Sequence, residues 1–104
     1  MLRTVLEMRV REGYEGEFRA TWLETARAAA ELPGSVGQTL LRDPQDPQIH
    51  LIMADWADRA SLEAFQKSPE REELSGRLET FRASARKRVL ETVAHIPARP
   101  TQER

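Results

Sequence analysis

Three observations predict an α+β fold built on a split βαβ pattern. Residues 2–11 alternate apolar and polar side chains, the period of a half-buried strand. Residues 15–31 repeat apolar side chains three and four apart, the spacing of one helical face. The run His50-Leu51-Ile52-Met53-Ala54-Asp55-Trp56-Ala57-Asp58 reads as a buried strand that ends in a tryptophan and turns directly into a helix. The remaining elements fall between and after these three.

In the first strand Leu2, Thr4, Leu6, Met8 and Val10 share one face, with Arg3, Val5, Glu7, Arg9 and Arg11 on the other. Gly13 and Gly16 mark the turn that follows. The first helix carries Phe18, Trp22, Thr25, Ala26 and Ala29 on its inner stripe, and Pro33-Gly34 stops it. Residues 35–42 form a short strand with Val36, Leu40 and Leu41 as its apolar content. Asp43-Pro44-Gln45-Asp46-Pro47 reads as a turn throughout, so strands 35–42 and 50–56 make a hairpin. Asp58 is placed to cap the next helix, with Leu62 and Phe65 facing inward. Ser68-Pro69-Glu70 starts another, with a capping serine, a proline in the first turn and an acid near the positive dipole end. Arg71, Leu74, Leu78, Phe81 and Ala85 continue its stripe. Residues 88–96 are β-branched enough for a final strand; a helix running on through Val89 is the alternative.

The order strand, helix, strand, strand, helix, strand is the ferredoxin-like arrangement, a four-stranded antiparallel sheet with helices on one face. Its other face would carry Val5, Leu51 and Met53, and a bare apolar sheet face marks an interface. Two such sheets stacked face to face give a dimeric α+β barrel. Residues 1–96 then form a single domain and residues 97–104, with two prolines and no large apolar residue after Pro97, a flexible tail.

Composition narrows the function. The 104 residues make one domain, which buries about 60–65% of the surface its unfolded chain exposes, so association would help cover the rest. Sixteen basic against 17 acidic residues leave a net charge of −1, with no basic stripe for nucleic acid or an anionic membrane. Cysteine is absent, which removes disulfides, thiolate catalysis and zinc-thiolate sites and fits a cytoplasmic protein. Two histidines on different strands do not make a metal-ligand set, and no phosphate-binding glycine loop or nucleophile elbow is present. Charges at Arg3, Glu7 and Arg9 exclude a signal h-region or membrane span at the N-terminus.

The chain resembles the antibiotic biosynthesis monooxygenases over roughly residues 2–96. The residues that carry the resemblance are the Arg11-Glu12-Gly13 turn, the Leu32-Pro33-Gly34 helix stop and the Leu41-Arg42-Asp43-Pro44 strand end. Ala54-Asp55-Trp56 and Phe65-Gln66-Lys67-Ser68-Pro69 complete the set, and their order and spacing carry more weight than any one of them. The likeness is nearest to small actinomycete proteins of aromatic polyketide and spore-pigment pathways. It implies an oxygenase that needs no metal, flavin or haem, acting on a small aromatic substrate and O2 as a homodimer. In such enzymes a deprotonated phenol passes an electron to O2 and recombination installs a quinone oxygen. One branch of the family places an asparagine and a tryptophan four residues apart on the third strand. Trp56 matches the tryptophan, while Ile52 stands where the asparagine would be. A tyrosine of the following helix has no counterpart, since Tyr14 is the only tyrosine. A haem-degrading branch needs a histidine between His50 and His95, and none is there.

Trp56 and His50 are therefore the candidate catalytic residues, with Trp22, Ile52, Leu6, Met8, Arg71 and Arg77 as candidate substrate contacts and no metal ligand. Each also has an ordinary reading. Trp56 and Trp22 can be core residues. His50, which near pH 7 could accept a phenolic proton, can be a strand-end histidine, as His95 can. Arg71 and Arg77 could meet a developing phenolate or superoxide charge, or make surface pairs of the Glu73–Arg77 kind. A rival function is a non-catalytic barrel that binds a hydrophobic polyketide intermediate or steers its cyclisation. A third is a quinone-handling barrel outside secondary metabolism.

Overall fold

A computed structural model of the chain describes residues 1–99. Four strands and three helices follow one another as β1 (Leu2–Val10), α1 (Glu15–Ala29), β2 (Ser35–Asp43), β3 (Asp46–Trp56), α2 (Arg59–Gln66), α3 (Pro69–Glu79) and β4 (Arg82–Glu91). The strands form one antiparallel sheet in the order β2-β3-β1-β4, so the fold is the expected ferredoxin-like α+β arrangement.

Period two sets the sheet's two faces. Leu2, Leu6 and Met8 lie opposite Trp56, Ile52 and His50 in the β1–β3 register, and these side chains turn toward the helices. Lys87 and Ala85 join the same face from β4, opposite Leu6 and Met8. The open face carries Val5, Leu51, Met53, Leu41 and Leu90 in a band. Arg3 closes one end of it with a two-pronged contact to Asp55 across the strands, 2.7 and 3.1 Å.

Local chemistry fixes the helices. Phe18, Trp22, Ala26 and Ala29 are the buried stripe of α1, and acids Glu15 and Glu17 sit in its first turn. The chain then reverses at Gly34, whose φ of +84° suits glycine, and Ala57 N–H donates to its carbonyl at 2.8 Å. Asp58 caps α2 by accepting from Ser61 N–H at 2.8 Å, and Ser68 caps α3 by accepting from Arg71 N–H at 3.2 Å.

Two boundaries differ from the sequence reading. The β2–β3 turn is only Pro44-Gln45, and β3 begins at Asp46. Pro47 is tolerated because the ladder is irregular between Arg42 and Asp43, where no strand bond is asked of its missing N–H. Asp43 and Asp46 supply side-chain acceptors to Gln45 and Gln48 N–H instead. The larger correction is at the C-terminal end. The last strand is Arg82–Glu91, not 88–96, and α3 ends at Glu79, so Phe81 and Ala85 are not helical. β4 is an edge strand exposed along most of its length, so no hydrophobic period marks it, and its Arg and Lys side chains guard the open edge. Residues 92–99 have no regular structure, with Val93 and Ile96 exposed; the expected tail extends to residue 104, and residues 100–104 lie outside those described.

Two buried clusters fill the space under the helices. Met8, Val10, Phe18, Trp22, Ala26, Ile52 and Leu78 form one, and Leu2, Ala54, Trp56 and Leu62 the other.

Candidate functional site

A cavity of about 210 Å³ opens at the seam between these clusters. Its floor is the sheet: Thr4 and Leu6 of β1, Ile52 and Ala54 of β3, and Gln38 of β2. Its roof is Leu62 and Phe65 of α2 with Leu74 and Leu78 of α3. The apolar walls follow from the same period-two and three-four patterns that built the core. What keeps the space open is the small size of Thr4, Ala54 and Ala85 where larger side chains would fill it.

Further polar groups complete the lining. Arg71 and Ser75 come from α3, Gln66 from the end of α2, and Arg82 and Lys87 from β4. Among the described residues that line it, three are cationic and none is a carboxylate. Partial burial, with the nearby Arg71 cation adding to it, holds the Lys87 ammonium below its usual pKa.

The candidate residues separate into four groups. Leu6, Ile52 and Arg71 line the cavity. Trp56 is 1% exposed and lies behind it, stacked on Phe65 with ring centroids 4.8 Å apart, so Phe65 presents the aromatic surface and Trp56 braces it. Met8 is likewise buried and does not reach the cavity. His50 and Trp22 line a separate, open cleft along β2, with Arg19 and Arg42 beside them. His50 is 1% exposed and tilted against Phe18 at 5.3 Å, and burial keeps its pKa below the ordinary 6.5. Its Nδ1 lies 3.4 Å from the Gln48 carbonyl, and among the described residues Nε2 has no partner. Arg77 is turned outward and paired with Glu24 at 3.0 Å and Glu73 at 3.9 Å, and the Arg77 contact holds the Glu24 carboxyl below its usual range.

Sequence reasoning missed Lys87, Arg82 and Gln38. The first two were hidden by the misplaced start of β4. The signal available was the alternation of Ser84, Arg86 and Arg88 with Ala85, Lys87 and Val89. Among the described residues no group of three or more His, Cys, Asp or Glu side chains could hold a metal ion, and no helix is long and apolar enough to cross a membrane.

A family profile for antibiotic biosynthesis monooxygenase matches residues 1–77. No functionally curated protein matches the sequence. Among solved structures, a point mutant of SnoaB, a cofactor-independent oxygenase from Streptomyces nogalater, is 22% identical with a TM-score of 0.85, covering 93% of this chain and 97% of its own. A protein of Deinococcus radiodurans provisionally assigned to the antibiotic biosynthesis monooxygenases is 14% identical with a TM-score of 0.85, covering 96% of this chain and 100% of its own. A conserved protein of Methanosarcina mazei Go1 is 17% identical with a TM-score of 0.79, covering 85% and 88%. Likeness at these identities is likeness of fold.

Proposed function

This chain belongs to the antibiotic biosynthesis monooxygenase family, and from that premise we propose that it is a cofactor-independent monooxygenase oxidising an aromatic polyketide-type phenol or anthrone to a quinone. The reaction takes one O2, places one oxygen atom at the ring methylene and releases the other as water with the two methylene hydrogens. The observation that carries this reading is the apolar cavity between sheet and helices with cations in its lining. Leu6, Ile52 and Leu74 would exclude water from the reacting ring, and Phe65, braced by Trp56, would stack on it. Arg71, which lines the cavity, would stabilise the phenolate and the reduced oxygen that develop during electron transfer. His50 and Trp22 hold the neighbouring core rather than this cavity, and Arg77 holds α3 to α1.

The protein would act as a cytoplasmic homodimer, closing its open apolar band against a second copy. The band of Val5, Leu41, Leu51, Met53 and Leu90 supports this, since a patch of that kind on one sheet face is a poor solvent surface.

The rival reading, a non-catalytic barrel that holds or steers a polyketide intermediate, is favoured by one observation: among the described residues the cavity lining contains no imidazole or carboxylate to take the phenolic proton. Incubation with a tricyclic hydroxy-anthrone under air, without added cofactor, separates the two. Quinone absorbance should rise above the spontaneous rate and fall back to it in Leu74→Trp, which fills the cavity. Saturable binding with no such rise would support the rival.

A further inference from the structure

We propose that the ligand of the cavity carries a permanent carboxylate on its aromatic body, seated by Arg71, Arg82 and Lys87. The proposal rests on the reading of this cavity as the substrate site, and it names a group that the oxidation itself does not require.

Charge is spread unevenly over this molecule. The chain as a whole is nearly balanced, with 16 basic and 17 acidic residues. Three arginines elsewhere find carboxylates, Arg3 with Asp55, Arg9 with Asp46 and Arg77 with Glu24, while others such as Arg11, Arg27 and Arg59 have none among the described residues and do not line this cavity. What sets Arg71, Arg82 and Lys87 apart is that all three, unpaired among the described residues, line one cavity from two different elements. Arg71 and Arg82 are half-buried. Arg71 also stands in the first turn of α3, where a cation meets the positive end of the helix dipole. Glu70 and Glu72 share that turn but neither is within ion-pair reach of it. Lys87 already feels the Arg71 cation, so the two repel each other. A cluster of this kind is stabilised by an anion that the chain does not itself supply.

The rest of the lining describes the ligand's other end. Leu6, Ile52, Leu62, Phe65, Leu74 and Leu78 offer hydrocarbon and one aromatic face. The volume of about 210 Å³ lies below the roughly 300–1,000 Å³ usual for drug-sized ligands, which favours a compact fused-ring body. The planar guanidinium forks of Arg71 and Arg82 match a flat, two-oxygen carboxylate. Arg71 lies within the matched residues 1–77, but Arg82 and Lys87 lie outside them, so two of the three cations belong to the part of the chain that the family profile leaves undescribed.

The test uses the full chain and fluorescent probes that cannot be oxidised as anthrones are. Naphthoate, naphthamide and naphthyl phosphate are titrated in low salt. Naphthoate should bind at least about tenfold more tightly than naphthamide, a difference of about 1.4 kcal/mol. The preference should shrink with added salt, persist in Lys87→Arg, and collapse in the double variant Arg82→Met, Lys87→Met. Circular dichroism confirms that each variant is folded, and naphthamide binding serves as an internal control for the intact cavity. Equal affinity for acid and amide, no binding of either, a preference unchanged in the double variant, or tighter binding of the phosphate would each overturn the carboxylate assignment. Anthrone oxidation that persists beside such a result leaves the oxygenase reading standing. Acid-selective binding without any oxidation removes the oxygenase reading and leaves this one.

Discussion

Replacing Trp56 by phenylalanine should change stability by no more than about 1.6 kcal/mol in either direction, although Trp56 is among the most deeply buried side chains. Two effects oppose each other. The smaller ring leaves a void of roughly 40 Å³, which at about 24 cal/mol per Å³ costs about 1 kcal/mol, and the lost carbons add about 0.8–1.6 kcal/mol. Against this, the indole Nε1 is buried without a hydrogen-bond partner among the described residues, a condition that costs about 1–3 kcal/mol and disappears with phenylalanine. The benzyl ring also keeps the stack on Phe65. Trp56→Ala loses both the volume and the stack, and about 3–5 kcal/mol is a large share of the roughly 5–15 kcal/mol available to a domain. Urea or thermal unfolding of the three proteins measures this, with about 4–8 °C per kcal/mol for a domain near this size. A Trp56→Phe protein destabilised by more than about 3 kcal/mol would refute the reasoning, because it would mean that the indole N–H is well satisfied. The phenylalanine variant is then the one to use for activity, since the alanine variant confounds function with folding.

Gly34→Ala should destabilise by about 2–5 kcal/mol. Its positive φ adds about 1–2 kcal/mol, and a Cβ there would run into the Ser61 side chain, adding about 1–3 kcal/mol. In a double-mutant cycle with Ser61→Gly the double variant should lose less stability than the two single losses summed, and additive effects would contradict the clash. Burial holds the His50 pKa below 6.5, so the native state binds fewer protons than the unfolded chain as pH falls from 6.5 toward that lowered value. Stability present above pH 6.5 should therefore decline over that window, and His50→Gln should flatten the decline in urea titrations at several pH values. Met53→Glu places a charge in the middle of the open apolar band and should convert a dimer to a folded monomer on a sizing column with light scattering. A monomeric parent at micromolar concentration would count against the barrel.

Much of this fold is legible in the sequence because its signals are local. The alternation of Leu2 to Val10 places one face of β1, and the caps at Asp58 and Ser68 depend on hydroxyl or carboxylate oxygens reaching the next turn. β4 is illegible for the opposite reason. It is an exposed edge whose alternation is of small and charged residues, and its place is fixed by pairing with β1, far away in sequence. The candidate site shows the same division. Period two puts Leu6, Met8, Ile52 and Trp56 on one face, but it cannot say which of them meet open space. That depends on α1 covering one end of the sheet while α2 and α3 stand over the seam, so Leu6 and Ile52 line the cavity while Met8 and Trp56 are sealed behind it. Lys87 and Arg82 reach that space only through the tertiary placement of β4.

The most direct test of the proposed oxygenase activity is oxygen uptake by dialysed, chelator-treated protein mixed with a tricyclic hydroxy-anthrone, with quinone followed in the same cuvette. The expected result is one O2 consumed for each quinone formed, at a rate that scales with protein and survives the chelator. Uptake equal to that of the anthrone alone, or uptake that returns only when a metal or flavin is added, would contradict it.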